Sequence, residues 1–330
     1  MIVIISKPDD RSVDRVIEWL LKFGCSGILR LSEDKPITIL GISLVKDSID
    51  PEIDLMVKNR TFKVSEIDFF WYRNGSIKLE IPDFSKGTVD NQLKEFLGWE
   101  LTVCRNFIIR QLQQRPSLGN FFRSTVNKLE KLQIAKEIGF DIPNTFISSK
   151  PSELINYIEK NQCITKPIGE AMPIGEDDSF IDLQTAVVDL DKIKNQSEYI
   201  FPSLIQEKVE KWVEIRAFVL YNEVYAMAIF SQNNKQTDTD YRNYDFSKMN
   251  RMVTYKLPAK VEEKILNFMK KCELNTGSID LVLTPDNRFV FLEVNPAGNI
   301  EMVGDSCNYW LEKKIAEYII QIIPSCPIQS

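Results

Sequence analysis

The chain has 330 residues, with 41 lysines and arginines, 47 aspartates and glutamates, and no histidine. This length carries more than one subdomain and a sizeable core, and a net charge of −6 argues against a general nucleic-acid binder. Without histidine, Ser-His-Asp and Cys-His nucleophile systems and His-ligated zinc are excluded, so any metal must be held by oxygen or thiolate. The six cysteines, Cys25, Cys104, Cys163, Cys272, Cys307 and Cys326, include no close pair and read as free thiols in a reducing compartment. The N-terminus does not read as a signal peptide, and no apolar run reaches the ~18 residues a membrane span needs. The expectation is a cytoplasmic chain with no membrane or nucleic-acid partner.

Ile2 to Ile5 reads as a strand. Val13, Val16, Ile17, Leu20, Leu21 and Phe23 form a helical stripe that stops at Gly24. Residues 37–45 and 67–73 read as strands, which predicts a small, mostly parallel α/β sheet. A long helix is predicted over 91–115, with Leu93, Phe96, Leu97, Leu101, Cys104, Ile108 and Leu112 on one face. A boundary follows near residue 120. The stretch 101–129 holds Arg105, Arg110, Arg115, Arg123 and Lys128 and no acidic residue. It is either a solvated face or a basic wall for phosphate or an acidic peptide.

Helices are predicted over 127–138, ended by Gly139, and over 151–160. Residues 204–209 read as a strand leading into a linker. Runs 213–221 and 223–230 form a hairpin turning at Asn222-Glu223, and 231–251 read as a long polar loop. A helix over 259–273 precedes strands 277–283 and 288–294, joined by Thr284-Pro285-Asp286-Asn287. A last amphipathic helix covers 308–323.

The strongest chemistry lies in residues 277–299, GSIDLVLTPDNRFVFLEVNPAGN. Strand alternation puts Phe289, Phe291, Glu293 and Asn295 on one face. If the turn pairs Leu283 with Arg288, Asp280 lies opposite Phe291, one diagonal step from Glu293 on the same face. Two carboxylates and an amide oxygen in an apolar setting suit a hard cation such as Mg²⁺. The alternative is an edge hairpin whose polar residues face water. Lys166, closing the run Cys163-Ile164-Thr165, reads either as a phosphate ligand or as a solvated lysine. Lys128 heads a helix, where anions are favoured. The extended segment Gln206-Glu207-Lys208-Val209 offers backbone groups to an adenine edge. Glu214 and Arg216 share a strand face, suited either to ribose and phosphate or to a cross-strand ion pair.

In this order, the segments NKLEKLQIAKEIGFDIPNT (Lys128), ITKP (Lys166), QEKV, EIR (Glu214, Arg216), DYR (Arg242), GSIDLVL (Asp280) and LEVNP (Glu293, Asn295) resemble the ATP-grasp carboxylate–amine/thiol ligase superfamily over residues 120–325. The length, WYRNG at 71–75, the stretch DYRNYDFSKMNR and EVNPAGN most resemble the peptide maturases of the microviridin and grasp-with-spasm type. Two departures are the sparse glycines after Lys166, Gly169 and Gly175, and Asn127 in place of the usual Asp.

The resemblance implies an α/β ATP-grasp fold, two α+β subdomains gripping ATP, behind a small α/β pre-ATP-grasp domain. The expected division is 1–120, 121–203 and 204–330. It implies Lys128 and Lys166 as ATP-phosphate lysines, Gln206, Glu207, Lys208 and Val209 as the adenine linker, and Glu214 as the ribose residue. Asp280, Glu293 and Asn295 would hold two Mg²⁺ ions. Arg216 and Arg242 would stabilise an acyl phosphate and its substrate. The implied activity is macrocyclisation of a ribosomal precursor peptide, with its leader docking on the central region. Asp or Glu carboxylates would be joined to Thr or Ser hydroxyls or Lys amines. Dimerisation is a family expectation only. The alternatives are a glutamate-ligase-like enzyme adding a free amino acid, and a non-catalytic nucleotide-binding module.

Overall fold

The computed structural model describes residues 1–81, 91–169, 185–194, 196–232 and 249–323. The chain folds as two units, Met1–Ser124 together with the terminal stretch from Trp310, and Thr125–Tyr309.

The first unit begins with β1 (Ile2–Ile5), α1 (Arg11–Lys22) and β2 (Ile28–Leu31). Next come β3 (Ile37–Ser43), β4 (Glu52–Val57), β5 (Arg60–Lys63) and β6 (Phe69–Tyr72), then α2 (Asn91–Gln113) and β7 (Ser117–Leu118). The parallel sheet has the order β2-β1-β6-β7. Its strands β1 and β6 are buried along their whole length, as expected where both faces are covered. The segment predicted at 37–45 does not join it. β3 pairs antiparallel with β4, and β4 with β5, in a separate three-stranded sheet. An isolated run of apolar residues carries no information about its partner strand, and β4 and β5 lacked a clear signal of their own. Asp10 caps α1 by accepting from the Val13 amide at 3.2 Å.

Helix α2 corrects a second expectation. Only Ile108, Ile109 and Leu112 are buried, while Leu93 and Phe96 are 46% and 57% exposed. The apolar periodicity is real, but only its C-terminal part meets the sheet core. The terminal helix Leu311–Ile322 buries Leu311, Ile315, Ala316, Ile319 and Ile320 in this unit and joins α1 through the Arg15–Glu312 ion pair at 3.3 Å. Its predicted start at 308 is too early. Asn308 and Trp310 adopt left-handed φ of 59° and 55°, and this break separates two helices.

The second unit starts with α3 (Lys128–Ile138), whose N-cap Asn127 accepts from the amides of Leu129 and Glu130 at 3.1 and 3.3 Å. Asn127 thus does the capping work open to the Asp it replaces. Gly139 ends α3 with φ of 92°. Then follow β8 (Thr145–Ser148), α4 (Pro151–Ile158), β9 (Cys163–Thr165), β10 (Ala186–Val187), α5 (Leu190–Lys194) and β11 (Ser203–Glu207). The four strands form an antiparallel sheet, β10-β9-β11-β8.

A five-stranded antiparallel sheet completes the unit, in the order β14-β13-β12-β15-β16. Its strands are β12 (Val213–Leu220), β13 (Glu223–Phe230), β14 (Arg251–Tyr255), β15 (Thr276–Leu283) and β16 (Phe289–Asn295). Helix α6 (Ala259–Lys271) lies between β14 and β15, and α7 (Ile300–Cys307) follows β16. The β12–β13 turn is Tyr221-Asn222, one residue earlier than predicted.

One face of this sheet is the core. Val213, Ile215, Ala217 and Val219 of β12 pack there with Ile279, Leu281 and Leu283 of β15 and Phe291 and Val294 of β16. Leu132 and Ala135 of α3 and Ile265 and Phe268 of α6 close it from below. Burying such side chains contributes about 1.5–3 kcal/mol each. The opposite face carries Glu214, Arg216 and Asp280. Cys25 is disulfide-bonded, against the expectation of thiols throughout, because spacing reveals only pairs close in sequence. Cys104, Cys163, Cys272 and Cys307 keep their thiols. Among the described residues no helix is long and apolar enough to cross a membrane.

Candidate active site

Strand register builds the site. In β12, Glu214, Arg216 and Phe218 point away from the core. Arg216 is directly opposite Asp280 of β15, and Asp280 is directly opposite Glu293 of β16. Paired residues point the same way, about 4.5–5.5 Å apart at Cβ, so these three form one row across three strands. Phe218, Ser278 and Asn295 make the neighbouring row in the same manner.

This arrangement corrects the predicted register. Asp280 does not face Phe291. Leu281 pairs with Phe291, Asp280 pairs with Glu293, and Leu292 is the extra residue of a β-bulge. The bulge also corrects the predicted faces. Phe289 and Phe291 pack toward the core, and the shift delivers Glu293 and Asn295 to the face of Asp280. Leu292 itself is half-buried and outside the core cluster. Strict alternation could not have foretold this, because a bulge changes phase by one residue.

Glycines let the chain close tightly here. A Cβ on Gly298, whose φ is 60°, would sit 2.8 Å from Ser278 Oγ, and one on Gly277 would sit 2.8 Å from the Asn295 carbonyl oxygen. The Asn295 side-chain oxygen accepts from the amides of Ala297 and Gly298, at 3.1 and 3.0 Å. Both lone pairs of that oxygen are thereby engaged, so Asn295 meets a cation only if one of these turn contacts opens. Asp280 is 8% exposed, and Glu293 is half-buried. Arg216 lies side-on to Asp280, with Nε 3.0 Å from Oδ1 and Nη2 donating to Oδ2 at 3.2 Å. The donor set is all oxygen. Among the described residues no three of His, Cys, Asp and Glu gather as a closed metal cluster. The two carboxylates, joined by the Asn295 amide if its turn opens, suit Mg²⁺, which needs few protein oxygens, keeps waters and shares phosphate oxygens.

Glu214 is buried one step along β12. Its Oε1 accepts from Lys211 Nζ at 2.9 Å and Ser231 Oγ at 2.6 Å. The cross-strand partner of Arg216 is thus Asp280, and Glu214 is paired with Lys211. A carboxylate offers about four acceptor positions, so ribose hydroxyls remain compatible with this pairing. Lys211, Ser231 and Ser278 went unnoticed in the sequence. A lysine three residues before Glu214 was the signal available.

Lys166 directly follows β9. Lys128 Nζ donates to the Pro167 carbonyl at 3.1 Å, which brings the α3 N-terminus to the chain segment that carries Lys166. In the linker, Gln206 is buried and donates from Nε2 to Thr145 Oγ1 at 2.8 Å. Glu207 Oε2 accepts from the Asn144 side chain at 2.8 Å, and the Lys208 amide donates to the Gln162 carbonyl at 2.8 Å. Gln206 and Glu207 side chains therefore brace the linker. A cavity of about 360 Å³ adjoins it, lined in part by Glu207, Lys208, Val209, Thr284 and Val290. Arg242 lies outside the described residues, as do the segment after Gly169 and the core of the loop predicted at 231–251.

An oxygen-donor row on an antiparallel sheet, an extended linker and the approach of Lys128 to the segment of Lys166 fit a nucleotide-dependent ligase of the ATP-grasp type. The RimK-like ATP-grasp domain matches residues 125–319, more than half of the chain, and the chain belongs to that family. A Chryseobacterium gregarium RiPP-associated ATP-grasp ligase, solved with ADP and a leader and core peptide, is 26% identical, with a TM-score of 0.79 over 98% of this chain and 97% of that one. The macrocyclase MdnC from Microcystis aeruginosa MRC, bound to precursor peptide MdnA, shares the fold at 23% identity and a TM-score of 0.74, over 97% of this chain and 99% of that one. The D-Ala:D-Ser ligase VanG from Enterococcus faecalis does so at 14% identity and a TM-score of 0.51, with 98% of both chains covered. No curated protein matches the sequence.

Proposed function

We propose that this protein is an ATP-dependent peptide macrocyclase. It joins Asp or Glu side-chain carboxylates of a ribosomal precursor peptide to Thr or Ser hydroxyls or to Lys amines. The observation that carries this reading is the row Arg216–Asp280–Glu293, held across three strands by register. The likeness to the C. gregarium ligase over nearly the whole of both chains supports a peptide as the substrate.

Lys128 and Lys166 orient the triphosphate, and the backbone near Val209 takes the adenine edge. Mg²⁺ held by Asp280, Glu293 and Asn295 supplies charge neutralisation at the phosphates when bound. The peptide carboxylate attacks the γ-phosphorus and ADP leaves, which forms an acyl phosphate on the peptide. Arg216, with Arg242 proposed beside it, stabilises the negative charge that builds up on the transferred group. A hydroxyl or amine of the same peptide then attacks the acyl carbon and expels phosphate. Holding both ends of one chain in place supplies much of the rate. ATP consumption fits a cytoplasmic setting.

Incubation with precursor peptide, Mg·ATP and hydroxylamine tests the activation step. Peptide-dependent ADP release with hydroxamate at an Asp or Glu supports the reading. ADP release that needs only free amino acids, without hydroxamate on the peptide, overturns it.

A further inference from the structure

Arg216 is assigned to the transferred phosphate, yet its guanidinium lies on Asp280, a candidate metal ligand. The contact is made by the Nε–Nη2 edge, at 3.0 and 3.2 Å, with both side chains about nine-tenths buried. The remaining nitrogen, Nη1, lies 3.5 Å from Met302 Sδ. A thioether is a weak acceptor, so this contact by itself adds little hold. Met302 is in turn fixed in the first turn of α7, where its amide donates to Asn299 Oδ1 at 3.0 Å. Arg216 and Glu293 flank Asp280 on either side in the row.

We propose that Arg216 and the divalent cation compete for Asp280, so that metal–nucleotide loading releases the arginine toward the peptide carboxylate. In the metal-free protein the guanidinium neutralises Asp280, which would otherwise sit buried beside a second carboxylate at Glu293. A divalent ion arriving on the Asp280–Glu293 side outcompetes a single positive charge and repels it. The released fork then meets the anionic group it is shaped to bind. Met302 is a positioning residue that keeps the guanidinium within reach while it changes partner. Binding is thereby ordered: the carboxylate site is complete only after the metal–nucleotide site is filled.

The inference rests on the proposed metal ligands, and its test uses no peptide, so failure of macrocyclisation leaves it standing or falling by itself. Mn²⁺ binding is measured by electron paramagnetic resonance with saturating ADP, which lacks the phosphate Arg216 would reach. Arg216→Met should tighten Mn²⁺ at least roughly tenfold, the scale of one partly buried charge pair. Arg216→Lys keeps the charge but cannot fork onto both oxygens, and should fall between Arg216→Met and the unaltered protein. Affinity for Arg216→Lys equal to that of the unaltered protein overturns the competition, since only distant charge would then matter. Should Arg216→Met fail to fold, a crystal structure of the unaltered protein with Mn²⁺ and ADP decides. An Arg216 Nε–Asp280 Oδ1 separation beyond the ~4 Å limit of an ion pair supports the proposal, and retention of the contact overturns it.

Discussion

Single side chains on the site face of β12 and β15 show the physical cost the fold accepts. Arg216, Asp280 and Glu214 are buried charges, and such groups persist only when paired. Replacing Asp280 by Asn removes a candidate ligand and strands Arg216. ADP formation should fall roughly 10²-fold or more, as measured by coupled ADP release. Cysteine reactivity offers an independent check on the packing. Burial pushes the Cys163 thiol up, with Glu207 adding to it, and burial pushes Cys307 up against a lowering contact from Thr254. A raised thiol pKa means less thiolate at any given pH, so both should alkylate slowly near pH 8 and faster as pH rises further. Half-buried Cys104 should react first, as peptide mapping after brief iodoacetamide treatment would show. Residue identity was legible where chemistry is rare in sequence, as with Asp280 and Glu293 in apolar strands. It was silent for Met302 and Ser231, whose contacts with Arg216 and Glu214 arise only from what lies across the fold.

At the scale of elements, the β15–β16 hairpin matters most. The bulge at Leu292 and the turn Asn295–Gly298 together set where the candidate ligands Glu293 and Asn295 lie. Gly298→Ala would place a methyl against Ser278 Oγ at a left-handed backbone position. It should destabilise the protein by about 1–3 kcal/mol, read from chemical denaturation midpoints, and weaken Mn²⁺ binding in parallel. Helix α1 was visible from sequence because one apolar face meets a core, α3 because Gly139 marks its end, and β12 because its apolar run is buried throughout. The pairing of β3 with β4 and the exposure of Leu93 and Phe96 on α2 were not, since periodicity reveals an apolar stripe without revealing what covers it. The bulge stayed hidden for the related reason that nothing in FVFLEVN marks which residue is extra.

At the scale of the whole molecule, the two units do not follow the order of the chain. The terminal helix Leu311–Ile322 comes after the second unit in sequence but packs with α1 in the first. Removing residues 311–330 should therefore destabilise the first unit, with β1 and β6 amides losing protection in hydrogen exchange, while the β12–β16 sheet keeps most of its own. The absence of histidine finds its place at this scale. In the proposed reaction ATP activates the carboxylate and oxygen donors hold the cation, so neither step needs an imidazole.

The central claim is that the protein closes rings within one peptide. Mass spectrometry of the precursor peptide after incubation with the protein and Mg·ATP tests it most directly. The expected result is loss of one water mass for each crosslink formed, with no added amino acid. An unchanged peptide, or one that gains the mass of a free amino acid, would contradict it.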